Sequence, residues 1–272
     1  GGTMGAGIAE VVARAGSTVR VVERAEAVEA AQQRIEKSLA RAVKSGRLSD
    51  DDAKAALGRI TITPDLTTLS ESELVIEAMP EIEELKVEYF TKLDEIVSAD
   101  AILATNTSSI PVIRLANATK HPERVLGMHF FNPVPVMALV EIVTTLKADR
   151  AIVDKVAAYA RDTLGKKTIE SKDQAGFIVN ALLIPYLTHA IRMFETGFAS
   201  AEDIDEGMVS GCGHPMGPLR LCDTVGLDIC LAVAESLYAE FGEAHYAPPV
   251  LLRRMVDAGY LGRKTGRGFY EY

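Results

Sequence analysis

The sequence lacks the features that mark several large classes of protein. It has no tryptophan, only three cysteines, and no apolar run near the roughly 18 residues that suggest a membrane span. Nor does it show the charge, apolar stretch and cleavage site of a signal peptide. Membrane insertion and secretion are therefore not predicted.

Basic residues are also in short supply. Lysine and arginine number 29 against 38 acidic residues, a net charge of −9, and they form no sustained stripe, which argues against nucleic-acid binding. The cysteines at 212, 222 and 230 are odd in number and lack CxxC spacing. They predict reduced thiols in the cytoplasm, as small core or interface residues, and no metal site is indicated.

What is present fits a folded enzyme of one large or two ordinary domains. The chain has 272 residues, 48% of them hydrophobic and 25% charged, as in average globular proteins. Short apolar strands alternate with amphipathic helices in the first part of the chain. Strands are predicted at 18–22, 60–63, 74–79, 102–105, 125–131 and 139–143, and helices at 25–44, after 48 and at 84–97.

From residue 171 onward the pattern is helical, over 180–194, 202–210, 219–241 and 250–258. Strands separated by helices indicate a largely parallel sheet covered on both faces. The sequence thus predicts an α/β, Rossmann-like, mostly parallel sheet domain at 1–170. An all-helical C-terminal domain is predicted at 171–272.

Glycines open the chain and are followed at once by a helical pattern. In a G-x-G-x-x-G turn, Gly2 and Gly5 would be the second and third glycines, with Met4 between them. The first glycine and the strand that aims the turn would then precede Gly1, so we expect an N-terminal truncation that weakens cofactor binding. A flexible terminus is the alternative interpretation.

An acid after the next strand adds to this interpretation. Glu23 lies 18 residues beyond Gly5. A dinucleotide-binding unit places an acid on the adenosine ribose at a similar spacing, about 20 residues. Its charge would repel a 2′-phosphate, which favours NAD over NADP. Arg24 could instead bind that phosphate, so NADP stays possible, and Glu23 as a solvated charge is the remaining alternative.

Polar residues after the later strands are candidates for the chemistry, because ligands bind at the carboxyl ends of such strands. Ser108 follows one strand, and His129 and Asn132 lie at the end of the next. Glu141 is twelve residues beyond His129 and could meet it if the two segments lie side by side. A carboxylate on one imidazole nitrogen would leave the other to exchange a proton during hydride transfer.

Several motifs together resemble the L-3-hydroxyacyl-CoA dehydrogenase family along essentially the whole chain. They are NTSS at 106–109, HFFNPVP at 129–135, LVE at 139–141, GFIVN at 176–180, HPMGP at 214–218 and GRKTGRGFY at 262–270. The short helical domain and the run at 180–183 are similar to the bacterial members that act on 3-hydroxybutyryl-CoA. The resemblance implies NAD(P)-dependent interconversion of (S)-3-hydroxyacyl-CoA and 3-oxoacyl-CoA.

The resemblance also implies roles for particular residues. His129 would be the general acid/base and Glu141 its orienting partner. The residues that would bind the substrate oxygens are Ser108, Asn132 and Asn180. Those on the cofactor would be Gly2, Met4, Gly5, Glu23, Glu81, Lys86 and Asn106. Ser38 and Lys44 match CoA contacts loosely, with a solvent-facing helix as the alternative.

Apolar faces of the helical domain bear on assembly. They include Ile184, Leu187, Ile191 and Phe194, and Leu227, Cys230, Leu231, Val233 and Leu237. The resemblance implies that these faces form a homodimer. Two other functions remain open: a dehydrogenase of a free hydroxy acid such as a sugar acid, and a non-catalytic structural relative.

Overall fold

The computed structural model describes residues 1–272, and the chain divides into two compact units, Gly1–Asp173 and Gln174–Tyr272. The helices of the first unit are α1 (Thr3–Arg14), α2 (Val28–Lys44), α3 (Asp50–Gly58), α4 (Glu83–Ile96), α5 (Val112–Ala116) and α6 (Arg150–Ala158). Its strands are β1 (Val19–Val22), β2 (Ile60–Thr63), β3 (Leu74–Glu77), β4 (Ile102–Thr105), β5 (Val125–Phe130), β6 (Leu139–Thr144) and β7 (Lys167–Lys172).

The strands form two hydrogen-bonded sheets. One is the parallel pair β1 and β2, and the other has the order β3-β4-β5-β6-β7. All neighbours in the larger sheet are parallel except β5 and β6, which are antiparallel. The prediction of a mostly parallel sheet with flanking helices is confirmed. That of a further central strand ahead of Gly1 stays a prediction.

Helix α1 contributes to two apolar clusters in this unit. Ala6, Ala9 and Ala13 pack in a cluster with residues of α2 and β1. Ile8 and Val11 pack in another with the buried residues of β4, β5 and β6. Helix α1 therefore packs through small residues against one cluster and through branched residues against the other.

Two helices and a strand of this unit were not predicted, namely α5, α6 and β7. Strand β7 reads KTIESK, and five of its six residues are polar or charged, so it lacks the apolar run that marks a buried strand. Exposed lysines at both of its ends are typical of a strand at the edge of a sheet. The sequence pattern therefore gave no signal for it.

The second unit is helical, as predicted. Its helices are α7 (Val179–Glu195), α8 (Ala201–Cys212), α9 (Pro218–Val225), α10 (Leu227–Phe241) and α11 (Val250–Asp257). The prediction of one helix over 219–241 is wrong, because Gly226 adopts φ +105° and separates α9 from α10. A positive φ cannot continue a right-handed helix. No helix of the chain is long and apolar enough to cross a membrane.

The apolar faces assigned to a dimer interface lie inside this unit instead. Ile184, Leu187 and Ile191 of α7 are at most 2% exposed and pack in the same cluster as Leu227 and Leu237 of α10. The cluster also holds Cys222, Cys230 and Val233, with Phe194 and Leu231 packed against it. The assignment of these faces to a dimer was therefore wrong: they form the core of their own chain.

Candidate active site

His129 and Glu141 meet across the one antiparallel strand pair of the larger sheet. They are direct partners in the register of β5 and β6, so their side chains share one face of the sheet. Nδ1 of His129 lies 2.7 Å from Oε2 of Glu141. The predicted contact between the two side chains is present.

The surroundings of this pair fix the imidazole. Glu141 is fully buried, and 6% of His129 is exposed. Phe131 packs beside the imidazole with ring centroids 4.6 Å apart. The carboxylate accepts a hydrogen bond from Nδ1, which fixes the orientation of the imidazole ring.

Ser108 lies in the loop that follows β4, and Glu81 organises that loop. Oε1 of Glu81 accepts hydrogen bonds from the backbone N–H groups of Ser108 at 3.0 Å and Ser109 at 3.1 Å, and from the hydroxyl of Ser109 at 2.9 Å. The hydroxyl of Thr107 also donates to it. Burial raises the pKa of Glu81, but Lys86 and these hydrogen bonds outweigh burial and leave the pKa below its ordinary value.

Lys86 and Glu77 form a buried ion pair behind this loop. Nζ of Lys86 lies 3.0 Å from both carboxylate oxygens of Glu77 and 2.9 Å from Oε2 of Glu81. The Lys86 and Glu77 side chains are 1% and 2% exposed. Sequence reasoning missed Glu77, although an acid that ends the apolar strand β3 was a usable signal.

Asn106 connects the same loop to strand β5. Its side-chain oxygen accepts a hydrogen bond from the backbone N–H of Phe130 at 2.8 Å. The backbone N–H of Asn106 donates to the backbone carbonyl of Glu77. Asn106 therefore ties the loop that carries Ser108 to the strand that carries His129. The contact fixes one segment relative to the other.

The glycine turn lies beside Glu23, as a cofactor site would require. Gly2 is the N-cap of α1 and has open space where a side chain would be, and Oε2 of Glu23 lies 3.1 Å from the nitrogen of Gly1. Free N–H groups at a helix N-terminus next to a strand-end acid suit the pyrophosphate and ribose of a dinucleotide. These residues fit NAD.

Gly7 is a constraint on this helix that sequence reasoning missed. A Cβ on Gly7 would lie 2.9 Å from Cβ of Val134, closer than side chains pack. At Gly5 the nearest atom would be at 3.7 Å, an ordinary contact. Of the two, Gly7 is therefore the one that close packing of α1 requires.

The remaining predicted residues lie on several different elements. Asn132 is exposed just after β5, and Met4 is half-buried in the first turn of α1. Ser38 and Lys44 both lie on α2, but six residues of helix place them about 120° apart around its axis. Asn180 lies in the first turn of α7, in the second unit.

The mostly parallel sheet, the glycine turn and the His129–Glu141 pair together define a dinucleotide-dependent oxidoreductase. Comparison with protein families makes this specific. Residues 1–174 match the NAD binding domain of 3-hydroxyacyl-CoA dehydrogenase, and residues 176–272 match its C-terminal domain. The chain belongs to the 3-hydroxyacyl-CoA dehydrogenase family, whose members interconvert 3-hydroxyacyl-CoA and 3-oxoacyl-CoA with NAD.

Individual relatives match this chain over nearly their whole length. The chain is 55% identical to a 3-hydroxybutyryl-CoA dehydrogenase of Mycobacterium tuberculosis, over 100% of this chain and 96% of the relative. The crystal structure of M. tuberculosis FadB2 matches with a TM-score of 0.98 at 55% identity, with 100% and 96% of the two chains covered. That of the (S)-3-hydroxybutyryl-CoA dehydrogenase PaaH1 from Ralstonia eutropha matches with a TM-score of 0.94 at 46% identity and the same coverage.

Proposed function

We propose that the protein interconverts (S)-3-hydroxybutyryl-CoA and acetoacetyl-CoA with NAD(H). The observation that carries this proposal is the buried His129–Glu141 pair, with its 2.7 Å contact, on strands that pack against the helix that follows the glycine turn. The four-carbon substrate follows the names of the relatives in M. tuberculosis and R. eutropha.

The proposed chemistry assigns one proton transfer to the protein. In the oxidative direction the substrate loses a proton from its 3-hydroxyl and a hydride from C3. When bound, the nicotinamide accepts that hydride, or returns it in the reverse direction. Nε2 of His129 takes the hydroxyl proton while the carboxylate of Glu141 holds Nδ1 and stabilises the imidazolium that forms.

Hydrogen-bond donors near the reacting oxygen complete the proposed site. We assign Ser108 and Asn180 to the 3-oxygen and Asn132 to the neighbouring thioester portion of the substrate. Donors held in place before reaction stabilise charge that develops on the oxygen of the ketone. We assign Ser38 and Lys44 to the CoA moiety, where a cationic side chain suits its phosphates.

The cofactor is proposed to lie along the glycine turn. Gly2, Met4 and Gly5 would contact the pyrophosphate, and Glu23 the adenosine ribose. Glu81 and Asn106 would contact the nicotinamide half, with Lys86 behind Glu81. Glu23 favours NADH, because an anionic carboxylate beside the ribose repels a 2′-phosphate.

An assay with acetoacetyl-CoA tests the substrate and the cofactor together. We expect oxidation of NADH, followed by absorbance, with kcat/KM at least about tenfold above that with NADPH, which is about 1.4 kcal/mol of discrimination. Glu23→Gln should narrow that ratio, whereas Arg24→Ala, which removes an exposed neighbouring charge, should leave it intact.

Other outcomes point to specific alternatives. Turnover only with NADPH would mean that Arg24, which could bind the 2′-phosphate, determines the cofactor preference instead of Glu23. Turnover of free hydroxy acids, with none of the CoA thioester, would contradict the acyl-CoA assignment. No turnover of either substrate by folded protein would favour a structural relative.

We also propose a homodimer formed through the helical unit, on a different surface from its core. A groove of about 600 Å³ is lined by α7 and the loop before α9, and Leu182 beside it is 72% exposed. Apolar exposure of this kind marks an interaction surface.

Sedimentation should therefore give a dimer for the wild type and a monomer for Leu182→Glu. Phe198 is similarly exposed but lies outside the groove, so Phe198→Glu should remain dimeric. A dimeric Leu182→Glu protein would contradict this placement.

A further inference from the structure

Lys166 is a buried cation that has no part in the proton transfer described above. It lies just before β7 and is 8% exposed. Its Nζ donates to the backbone carbonyls of Val134 at 2.6 Å and Met137 at 2.7 Å, and it forms no salt bridge with a carboxylate. Burying a charge without an ion pair costs free energy that an apolar side chain of the same length would not. We therefore expect this lysine to do more than fill space.

The two carbonyls belong to the turn at 133–137, which connects β5 to β6. The turn is closed from within, because the backbone N–H groups of Val136 and Met137 both donate to the carbonyl of Pro133 at 2.9 Å. The side-chain hydrogen bonds to this turn both come from Lys166. Lys166 is thus the polar side chain that ties the turn to the rest of the first unit.

Helix α1 packs against the same turn and supplies a negative charge. Gly7 lies against Val134, and Glu10, one turn further along the helix, is fully buried. One carboxylate oxygen of Glu10 lies 3.2 Å from the guanidinium of Arg14. Burial lowers the pKa of Lys166 and the charge of Arg14 adds to the effect, while the charge of Glu10 opposes it. Glu10 is therefore the counter-charge of this lysine, at a distance beyond a direct hydrogen bond.

We propose that Lys166 is a positioning residue for substrate binding, which holds the turn at 133–137 and with it the neighbouring Asn132. This inference rests on the proposed function, because it takes Asn132 to bind the thioester portion of acetoacetyl-CoA. Asn132 is exposed and directly precedes the turn, so its place depends on the backbone that Lys166 holds. A contact to the thioester, away from the reacting C3, is made in the ground state and in the transition state alike. Its loss should therefore raise KM and leave kcat nearly unchanged.

The test uses Lys166→Met, which keeps an unbranched side chain and removes the donors, assayed with acetoacetyl-CoA and NADH. We expect KM for acetoacetyl-CoA to rise about three- to tenfold, as for the loss of one hydrogen bond, with kcat within about threefold and KM for NADH within about twofold. Asn132→Ala should raise the same KM by a similar factor. The combined variant should show no larger rise than the greater of the two, because both changes remove one interaction.

A second variant separates positioning from charge balance. Lys166→Met leaves Glu10 buried without its counter-charge and should lower the melting temperature. Adding Glu10→Gln removes the opposite charge as well and should recover most of that loss. KM for acetoacetyl-CoA should stay raised in this double variant. A lysine with a merely structural role would instead recover KM together with the melting temperature.

Arg124 is the matched control, because it is also a buried cation of the first unit that donates to two backbone carbonyls. Its acceptors are Ser98 and Ala101, which lie just before β4, at the opposite end of that strand from the loop that carries Ser108. Arg124→Met should lower the melting temperature and leave KM for acetoacetyl-CoA and for NADH unchanged.

The outcomes separate this inference from the proposed function. Wild-type KM for acetoacetyl-CoA in folded Lys166→Met, or rises in KM that multiply in the combined variant with Asn132→Ala, would overturn the positioning role while leaving the reaction intact. A raised KM for NADH alone would overturn it in favour of an effect on α1 and the glycine turn. No turnover by the wild-type protein would overturn the proposed function, and with it the role that the inference assigns to Asn132.

Discussion

Replacing His129 with glutamine is expected to lower kcat by about 10²- to 10⁴-fold, the usual contribution of a general acid/base, with a much smaller change in KM. Glutamine can keep a hydrogen bond to Glu141 but cannot take or give a proton at neutral pH. The measurement is steady-state reduction of acetoacetyl-CoA by NADH, with thermal melting of the same samples to establish that the variant is folded.

A second histidine provides the control for this variant. Nδ1 of His121 lies 3.1 Å from a carboxylate oxygen of Glu123, but that pair is about half exposed. His121→Gln removes the same functional group from a solvated pair and should leave kcat unchanged. If folded His129→Gln retained kcat within about threefold of the wild type, His129 would not be the acid/base group, because acid/base catalysis contributes far more than that.

The His129–Glu141 contact was predictable because it depends on a local strand pair. Two apolar runs flank a proline-containing turn, and an antiparallel pairing of β5 with β6 places residues on one face opposite one another. The acid, the histidine and the turn are all visible in one short stretch of sequence. The roles of these residues stay predictions.

The Glu77–Lys86–Glu81 cluster could not be predicted in the same way. Its members come from β3, the following loop and α4, and their partner Thr105 comes from β4. Sequence periodicity says that β3 is buried but not which polar groups oppose its last residue. From the sequence alone a charged residue is expected to be exposed, because the partners that would let it be buried cannot be identified.

The apolar faces of α7 and α10 show a second limit of sequence patterns. Helical spacing correctly marked Leu187 and Leu237 for burial, and both are fully buried. The spacing carries no information on whether the covering surface belongs to the same chain or to a second copy. Here the covering surface is in the same helical unit.

Gly268→Ala is expected to cause the largest loss of stability among single-methyl additions to the helical unit. A Cβ on Gly268 would lie 1.9 Å from Oδ1 of Asp223, which is 1% exposed and accepts the backbone N–H groups of Phe269 and Tyr270. The methyl group would displace a buried carboxylate from its donors. Leaving such a charge without partners costs about 3–5 kcal/mol.

Gly262→Ala should destabilise the same unit for a second reason. Gly262 has φ +90°, which L-residues rarely adopt, and its Cβ would lie 2.3 Å from the carbonyl oxygen of Asp223. The clash is with backbone, so a side-chain rotation cannot relieve it. A loss of about 3–5 kcal/mol should lower the Tm of either variant by about 6–20 °C, since each 1 kcal/mol corresponds to about 2–4 °C in larger domains.

Gly211→Ala is the control for a methyl group added to a glycine. Gly211 lies in α8 with nothing near its Cβ position, so alanine should be neutral or stabilise by up to about 1 kcal/mol. Calorimetry of the three variants checks these values. If Gly268→Ala melted with the wild type, the Asp223 carboxylate would not be fixed as described. If Gly268→Ala were folded at low temperature but had a lower kcat than the wild type at that temperature, the run GRKTGRGFY would act in catalysis as well as in the stability of the helical unit.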